Sequence, residues 1–136
     1  LRPGGRLAVA VLDELDHAPG YRVLTELLQR LFGAEGADAM RPPFALGDRR
    51  VLRPLFEDAR AIEVEITTHP GTVRFVSIDA MIATERACIW TLGGLLDSKQ
   101  FVLLRRHAAQ ELQQFAGAGG AVAFSCPAHI VTAKRA

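Results

Sequence analysis

The apolar pattern at the start of the chain predicts a strand. Residues 7–12 form an unbroken apolar run that follows the turn residues Pro3, Gly4 and Gly5 and ends at Asp13. A short run bounded in this way is typical of a strand buried on both faces, as in the middle of an α/β sheet. A central strand at the start of a chain that lacks an initiating Met leads us to expect a fragment.

Four stretches have the apolar spacing of amphipathic helices. They are residues 21–32, 48–59, 77–88 and 98–115. Asp48 and Ser77 are good N-caps for the second and third helices, and Gly33 is expected to end the first. Pro54 lies inside the second helix, where proline is tolerated only near the first turns or as a kink.

The remaining pattern predicts three further strands. Apolar and polar residues alternate in residues 61–67, which favours a strand with one wet face. Residues 72–75 predict a short strand, and residues 128–134, after Pro127, predict the last one. Irregular segments are expected at residues 13–20, 34–46 and 90–96. The fold class is therefore α/β, with an α+β appearance, in a single domain of residues 1–136.

Composition narrows the range of functions. The chain has 136 residues and a net charge of +1, which gives no electrostatic case for binding nucleic acid or an anionic membrane. No apolar run is long enough to span a bilayer, and the first run does not resemble a signal peptide. Cys88 and Cys126 are flanked by apolar residues, so we expect buried free thiols and a cytoplasmic protein.

Local signatures of common active sites are absent. Gly4-Gly5 and the glycines at 117–120 precede predicted strands, whereas a dinucleotide loop follows a strand and precedes a helix. The histidines are scattered and the cysteines are unpaired, so we expect no metal site. Ser125 and Cys126 lie near His129, but no strand–turn–helix elbow surrounds them, which disfavours nucleophilic catalysis.

The loop after the first strand is the best candidate for a ligand site. In open α/β sheets, ligands bind beyond the carboxyl ends of the strands, so Asp13 and His17 would face a crevice. An ordinary solvated loop is the equally compatible alternative. Phe75 and Trp90 are candidates for lining an apolar pocket, although core packing is the commoner role of such residues.

The segment LRPGG-R-LAVAV resembles the fifth strand, with its lead-in turn, of class I S-adenosylmethionine-dependent methyltransferases that act on small molecules. The order of the later segments is similar to the carboxyl-terminal half of that family. Residues 45–59 resemble the helix after strand five, and residues 62–67 resemble strand six. PAHIVTAKR, residues 127–135, resembles the last strand, which in this family inserts antiparallel between strands five and six. The segment 77–116 resembles a helical lid insertion, and residues 21–32 a second lid piece.

The resemblance implies strands five, six and seven of a Rossmann-like sheet with inserted lid helices. It implies S-adenosylmethionine as methyl donor and a small molecule as acceptor. The glycine-rich loop and the acidic residue that hold this cofactor in the family have no counterpart here. We therefore assign no cofactor-binding residue and expect neither tight cofactor binding nor activity from the chain alone. The candidate substrate residues are Leu12, Asp13, His17, Tyr21, Phe75 and Trp90, and Leu12 stands where many members have an aromatic residue.

Two classes of function follow from these observations. The chain is expected to be the substrate-lid part of a methyltransferase, joined to a missing cofactor-binding half. Alternatively, it is a non-catalytic binding or assembly module that forms a homodimer through the exposed edge of its first strand, because bare strand edges recruit partners. A small-ligand pocket protein of the α+β kind is a third possibility.

Overall fold

A three-stranded sheet and a helical layer on a two-stranded sheet make up the fold, which the computed structural model describes over residues 1–136. The strands are β1 (Arg6–Leu12), β2 (Ala61–His69), β3 (Thr72–Phe75), β4 (Val122–Ser125) and β5 (Ala128–Arg135). The helices are α1 (Pro19–Asp38), α2 (Arg49–Asp58), α3 (Ile78–Ala87) and α4 (Ser98–Glu111). Short 3-10 turns lie at Leu15–His17, Pro42–Phe44 and Leu112–Phe115. The expected mixed α/β class is confirmed.

The last strand is the centre of the larger sheet. The strand order is β1-β5-β2, and β5 is antiparallel to both neighbours, so β1 and β2 run parallel to each other. The register runs from Arg6 opposite Lys134 to Leu12 opposite Ala128. The last strand therefore lies between two parallel strands, which is the position that the resemblance implied for it.

Helix α2 covers one face of β2 and β5. Leu52, on its apolar side, is buried in a cluster with Ile66 of β2 and Val131 of β5. The helix begins as expected at Asp48, whose side chain accepts a hydrogen bond from the Arg50 backbone N–H at 2.8 Å. Pro54 lies within the helix, on its exposed side.

The expectation that the first strand is buried on both faces is wrong. Ala8, Val9 and Ala10 are all exposed. The physical reason is that β1 is an edge strand with a neighbour on one side only, while α2 lies over β2 and β5 instead of β1. The related expectation of an exposed edge at this strand is confirmed.

The main hydrophobic core lies in the helical layer. It is formed by α1, α3 and α4 together with the β3–β4 sheet, whose strands pair antiparallel. Its buried members are Leu24, Leu27, Leu28, Met40, Met81, Ile82, Leu92, Leu96, Leu104, Ala108, Leu112, Val122 and Phe124. The segment 77–116 thus shares its core with α1 and with both short strands.

Helix α1 is longer than the sequence suggests at both ends. It begins at Pro19, because proline suits the first position of a helix, where the loop 13–20 was expected to end in a Pro-Gly turn. Gly33 breaks the helix with a φ of 76°, as a glycine stop signal predicts, but helical structure resumes and continues to Asp38. The first part of the expected irregular segment 34–46 is therefore helical, which lets Ala37 reach the core.

The expectation of buried free thiols is met in part, and the helices agree with the absence of a long apolar run. Both cysteines are free thiols, but only Cys126 is buried, while Cys88 is half-buried at the end of α3. No helix combines the length and the apolar character needed to cross a membrane.

Truncating the core of the helical layer should destabilise the protein strongly. Leu104 on α4 is completely buried, so Leu104→Ala removes packed methyl groups and leaves a cavity, at a cost of about 2–5 kcal/mol. Val102 on the same helix is 64% exposed, and Val102→Ala should change the free energy of unfolding by only about 0.5 kcal/mol. Denaturant unfolding followed by circular dichroism measures both. Equal losses in the two variants would show that α4 is not packed on this core.

Candidate functional site

Three strand ends converge on a buried carboxylate at one end of the larger sheet. Asp13 directly follows β1, Thr68 lies next to the end of β2, and His129 is the second residue of β5. Asp13 is 8% exposed and His129 is 2% exposed. A buried carboxylate is costly unless hydrogen bonds compensate for the lost water, so its partners define this site.

Each Asp13 oxygen has at least one partner. Oδ1 accepts the Glu14 backbone N–H at 2.7 Å and lies 3.1 Å from His129 Nε2, while Oδ2 lies 3.0 Å from His17 Nδ1. Burial alone would raise the pKa of Asp13. The hydrogen bonds from Glu14 and His17 and the nearby imidazole rings outweigh burial and hold its pKa below the usual value.

The surroundings of His129 fix its tautomer. Nε2 faces only acceptors, namely the Asp13 carboxylate and the Gly47 carbonyl oxygen at 2.8 Å, so this nitrogen carries a proton. In the neutral ring Nδ1 is then an acceptor, and the Thr68 hydroxyl at 2.9 Å donates to it. The imidazole is thus hydrogen-bonded to the Gly47 carbonyl and the Thr68 hydroxyl, and the Asp13 carboxylate lies 3.1 Å from its Nε2.

His17 lies on the outer side of Asp13. Its side chain is 55% exposed, and it precedes α1 in a 3-10 turn. The hydrogen bond to Asp13, together with the charge of that carboxylate, raises the pKa of His17 above its usual value of 6.5. This ion pair connects the start of the helical layer to the tip of β1.

A polar depression of about 310 Å³ opens at these side chains, and no apolar side chain lines it. Its walls are Asp13, Glu14, His17, Gly47, Asp48, Arg49, Arg50, Thr68 and His129. Gly47 is required where the loop before α2 crosses the tip of β1, because a Cβ there would lie 2.4 Å from the Glu14 backbone nitrogen. The Arg50 guanidinium is bound to Asp48, whereas Arg49 donates from Nη2 to the Ile66 carbonyl oxygen at 2.7 Å.

Asp13, Glu14 and His17 are the residues of this chain that come nearest to a metal-ligand set, with one donor atom of each within 4.8 Å of the others. The Asp13 oxygens are already in contact with His17, His129 and the Glu14 backbone N–H. We therefore describe the group as a hydrogen-bonded ion-pair network.

Four of the six residues singled out from the sequence lie together. Leu12 ends β1, Asp13 and His17 lie in the segment that follows it, and Tyr21 lies in the first turn of α1. Leu12 and Tyr21 both contact the small buried cluster of Ala18, Phe44 and Cys126. The Tyr21 ring also contacts Phe124 edge to face at 5.2 Å. Burial, followed by the neighbouring Glu85 carboxylate, raises the pKa of Tyr21 well above its usual range.

The other two residues lie elsewhere. Phe75, at the end of β3, packs against the core of the helical layer. Trp90 is 80% exposed and is not enclosed by any apolar pocket within this structure. The reason is local: Leu92 takes the buried position in this loop, and its backbone N–H is bound to the Glu85 carbonyl oxygen, which turns Trp90 outward.

Sequence reasoning missed His129 and Thr68 as site residues. The sequence places His129 near Ser125 and Cys126, which precede it in the chain. In the structure its hydroxyl partner comes from β2, because Thr68 lies directly opposite His129 in the sheet. One signal in the sequence could have identified His129. It is a polar residue at an inward position of the last strand, within the mainly apolar segment AHIVTA.

A second feature lies on the α2 side of β1. An apolar groove of about 730 Å³ runs between the edge strand and α2. Leu7, Val9 and Val11 of β1 form its floor, and Leu55 and Phe56 of α2 form a wall. The only charged side chains that line it are Arg60 and Arg135.

No family model matches this chain, and no curated protein matches it significantly.

The Asp13–His17 ion pair should make stability depend on pH near neutrality. Because the folded-state pKa of His17 is raised, its stabilisation is complete below pH 6.5 and is lost as the pH rises through the folded-state pKa. We expect the urea midpoint of the wild type, relative to His17→Gln, to fall as the pH is raised from 6.5 through the folded-state pKa of His17.

Arg22→Gln is the matched control for this experiment. It removes another i,i+4 ion pair, Arg22–Glu26 on α1, whose arginine keeps its charge throughout this range. Its effect on the midpoint should be the same at each pH. A constant difference between wild type and His17→Gln across the range would contradict the assignment of the ion pair.

Proposed function

We propose that the chain is the carboxyl-terminal, substrate-lid part of an S-adenosylmethionine-dependent methyltransferase that acts on a small molecule. In this proposal β1, β2 and β5 are strands five, six and seven of a Rossmann-like sheet. The helical layer is the lid, and a cofactor-binding half pairs with the free edge of β1.

The strand order is the observation that carries the proposal. A last strand that lies antiparallel between two parallel strands is the arrangement that the resemblance implied from the sequence alone. The segment that resembles strand five forms β1, and the segment that resembles the last strand forms β5. Agreement between residue patterns and pairing of segments more than 100 residues apart supports a common origin.

The uncovered side of β1 is suited to contact with the proposed cofactor-binding half. Its outer edge has unpaired backbone N–H and C=O groups. The adjacent apolar groove has the shape of a docking site for a helix. A strand beside β1, followed or preceded by a helix in the groove, would satisfy both features at once. Exposed strand edges of this kind are normally covered or blunted in proteins.

The residues of this chain do not fit the task of holding the cofactor by themselves. A nucleotide-type ligand is normally held by a glycine-rich loop between a strand and a helix N-terminus. Here Asp13 and a 3-10 turn follow β1, while a Pro-Gly turn leads from β2 directly into β3. The donor would therefore be held by the other half, and we derive no step through it.

What this chain contributes in the proposal is a wall of the substrate site. The tip of β1 and the start of α1 place Asp13, His17 and Tyr21 at the junction between the sheet and the helical layer. An acceptor bound there would be positioned by a rigid sheet on one side and by the lid on the other. Such positioning is a major source of rate enhancement in group transfer.

Isothermal titration calorimetry with S-adenosylmethionine tests this assignment in two steps. The chain alone should show no stoichiometric binding, because the cofactor-holding loop is absent. A protein that also includes the segment encoded ahead of Leu1 should bind the cofactor, and that segment should contain a glycine-rich loop between a strand and a helix. Tight binding by the chain alone, or a preceding segment without that loop, would overturn the proposal.

A second candidate is a non-catalytic assembly module, favoured by the exposed edge of β1. Two copies that pair these edges would form a homodimer with a continuous six-stranded sheet. Sedimentation should then show a dimer for the wild type and a monomer for Val9→Lys, which places a charge in the middle of the edge strand. Val102→Lys, on the exposed side of α4, is the control and should stay dimeric. A wild-type monomer at high concentration would exclude this candidate.

A further inference from the structure

We propose that Thr68, His129 and Asp13 form a nucleophilic triad that cleaves small polar esters through an acyl-Thr68 intermediate. The three residues would give this chain an activity of its own. The inference does not depend on the proposed methyltransferase origin, because every group involved lies in the residues of this structure.

The three side chains stand in the order that nucleophilic catalysis requires. The Thr68 hydroxyl lies 2.9 Å from His129 Nδ1, and His129 Nε2 lies 3.1 Å from Asp13 Oδ1. Hydrogen-bond reach from nucleophile to base, with the base oriented by a third group, is the structural signature of an activated hydroxyl. Each residue comes from a different strand or strand end, so the sheet fixes their relative positions.

The direction of proton transfer also fits. The Gly47 carbonyl and the Asp13 carboxylate keep the proton on Nε2, so the lone pair of Nδ1 points at the Thr68 hydroxyl. His129 and Asp13 are buried, whereas Thr68 is exposed. The base and its orienting acid are thus shielded from water, and only the nucleophile is open to a substrate.

The polar depression defines the class of substrate. It is small and has no apolar lining, which suits short polar acyl groups and disfavours long hydrocarbon chains. Arg49 lines it and donates from only one of its nitrogens to the protein backbone, so it has further N–H groups to offer. These N–H groups are the candidates for stabilising the oxyanion that forms during acyl transfer.

The reaction balances without a cofactor. Thr68 Oγ1 bonds to the acyl carbon while its proton moves to His129 Nδ1 and the carbonyl electron pair moves to oxygen. The tetrahedral species then breaks the bond to the alcohol oxygen, which takes the proton from Nδ1. Water attacks acyl-Thr68 in the same way, with Nδ1 as base, and releases the acid and the free hydroxyl.

Hydrolysis of p-nitrophenyl acetate by the full chain tests the triad. The wild type should release p-nitrophenol with turnover, and mass spectrometry of the quenched protein should locate one acetyl group on Thr68. Thr68→Ala should lose the adduct and at least about 100-fold in rate. Thr68→Ser keeps a hydroxyl at the same place and should retain both adduct and turnover.

Thr67→Ala is the matched control, because Thr67 is the preceding residue of β2 and its hydroxyl lies 3.0 Å from His69 Nε2 instead. It should hydrolyse the ester at the wild-type rate. Circular dichroism of Thr68→Val, which conserves side-chain shape, separates loss of the hydroxyl from loss of the fold. Wild-type rates in a folded Thr68→Val, acetylation at another residue only, or no turnover by the wild type would each overturn the triad.

Discussion

The buried Asp13 carboxylate is the constraint on which the arrangement of the sheet and helical layer depends. A carboxylate in this position must be hydrogen-bonded, and its partners come from separate parts of the chain. His129 from the last strand and His17 from the start of the helical layer meet on its two oxygens. Backbone bonds reinforce the same junction: the Asp13 N–H binds the Pro127 carbonyl at 3.0 Å, and the Cys126 N–H binds the Gly71 carbonyl at 2.9 Å. The three connections between the layers, which join β1 to α1, β2 to β3 and β4 to β5, are therefore held side by side.

The two layers differ in how completely their apolar surfaces are buried within this chain. The helical layer encloses a continuous apolar core, whereas the larger sheet is covered by a single helix over two of its three strands. Its third strand exposes both an edge and an apolar groove. The helical layer thus buries its apolar surface within this chain, whereas the larger sheet leaves part of its apolar surface exposed.

Local signals were sufficient to predict most of the elements. The capping side chains of Asp48 and Ser77 start their helices as expected, because N-caps act within a few residues of their own position. Alternation predicted β2 correctly, although not its irregular register near Glu63, where φ is 52°. The exposure of β1 could not be read from its residues alone, because an apolar run does not reveal how many neighbours it will have.

Only the site residues that lie close together in the sequence were predicted. Asp13 and His17 are one helical turn apart in sequence and were identified together. Thr68 and His129 are separated by 61 residues, and only the register between β2 and β5 brings them into contact. No spacing rule within one sequence contains that register. The outward position of Trp90 likewise depends on which neighbour in its loop occupies the core.

The pairing of β1 with β5 has a consequence for how the protein folds during synthesis. Arg6 and Lys134 are opposite each other although they are far apart in sequence, so β1 leaves the ribosome long before β5 exists. The helices α1, α3 and α4 of the helical layer lie between them in sequence, so these helices are synthesised before β5 and can begin to pack first. The larger sheet is thus the last element to form, and its high contact order makes that step slow. Until β5 has been synthesised, the apolar strand β1 lacks the neighbour with which it pairs in this structure.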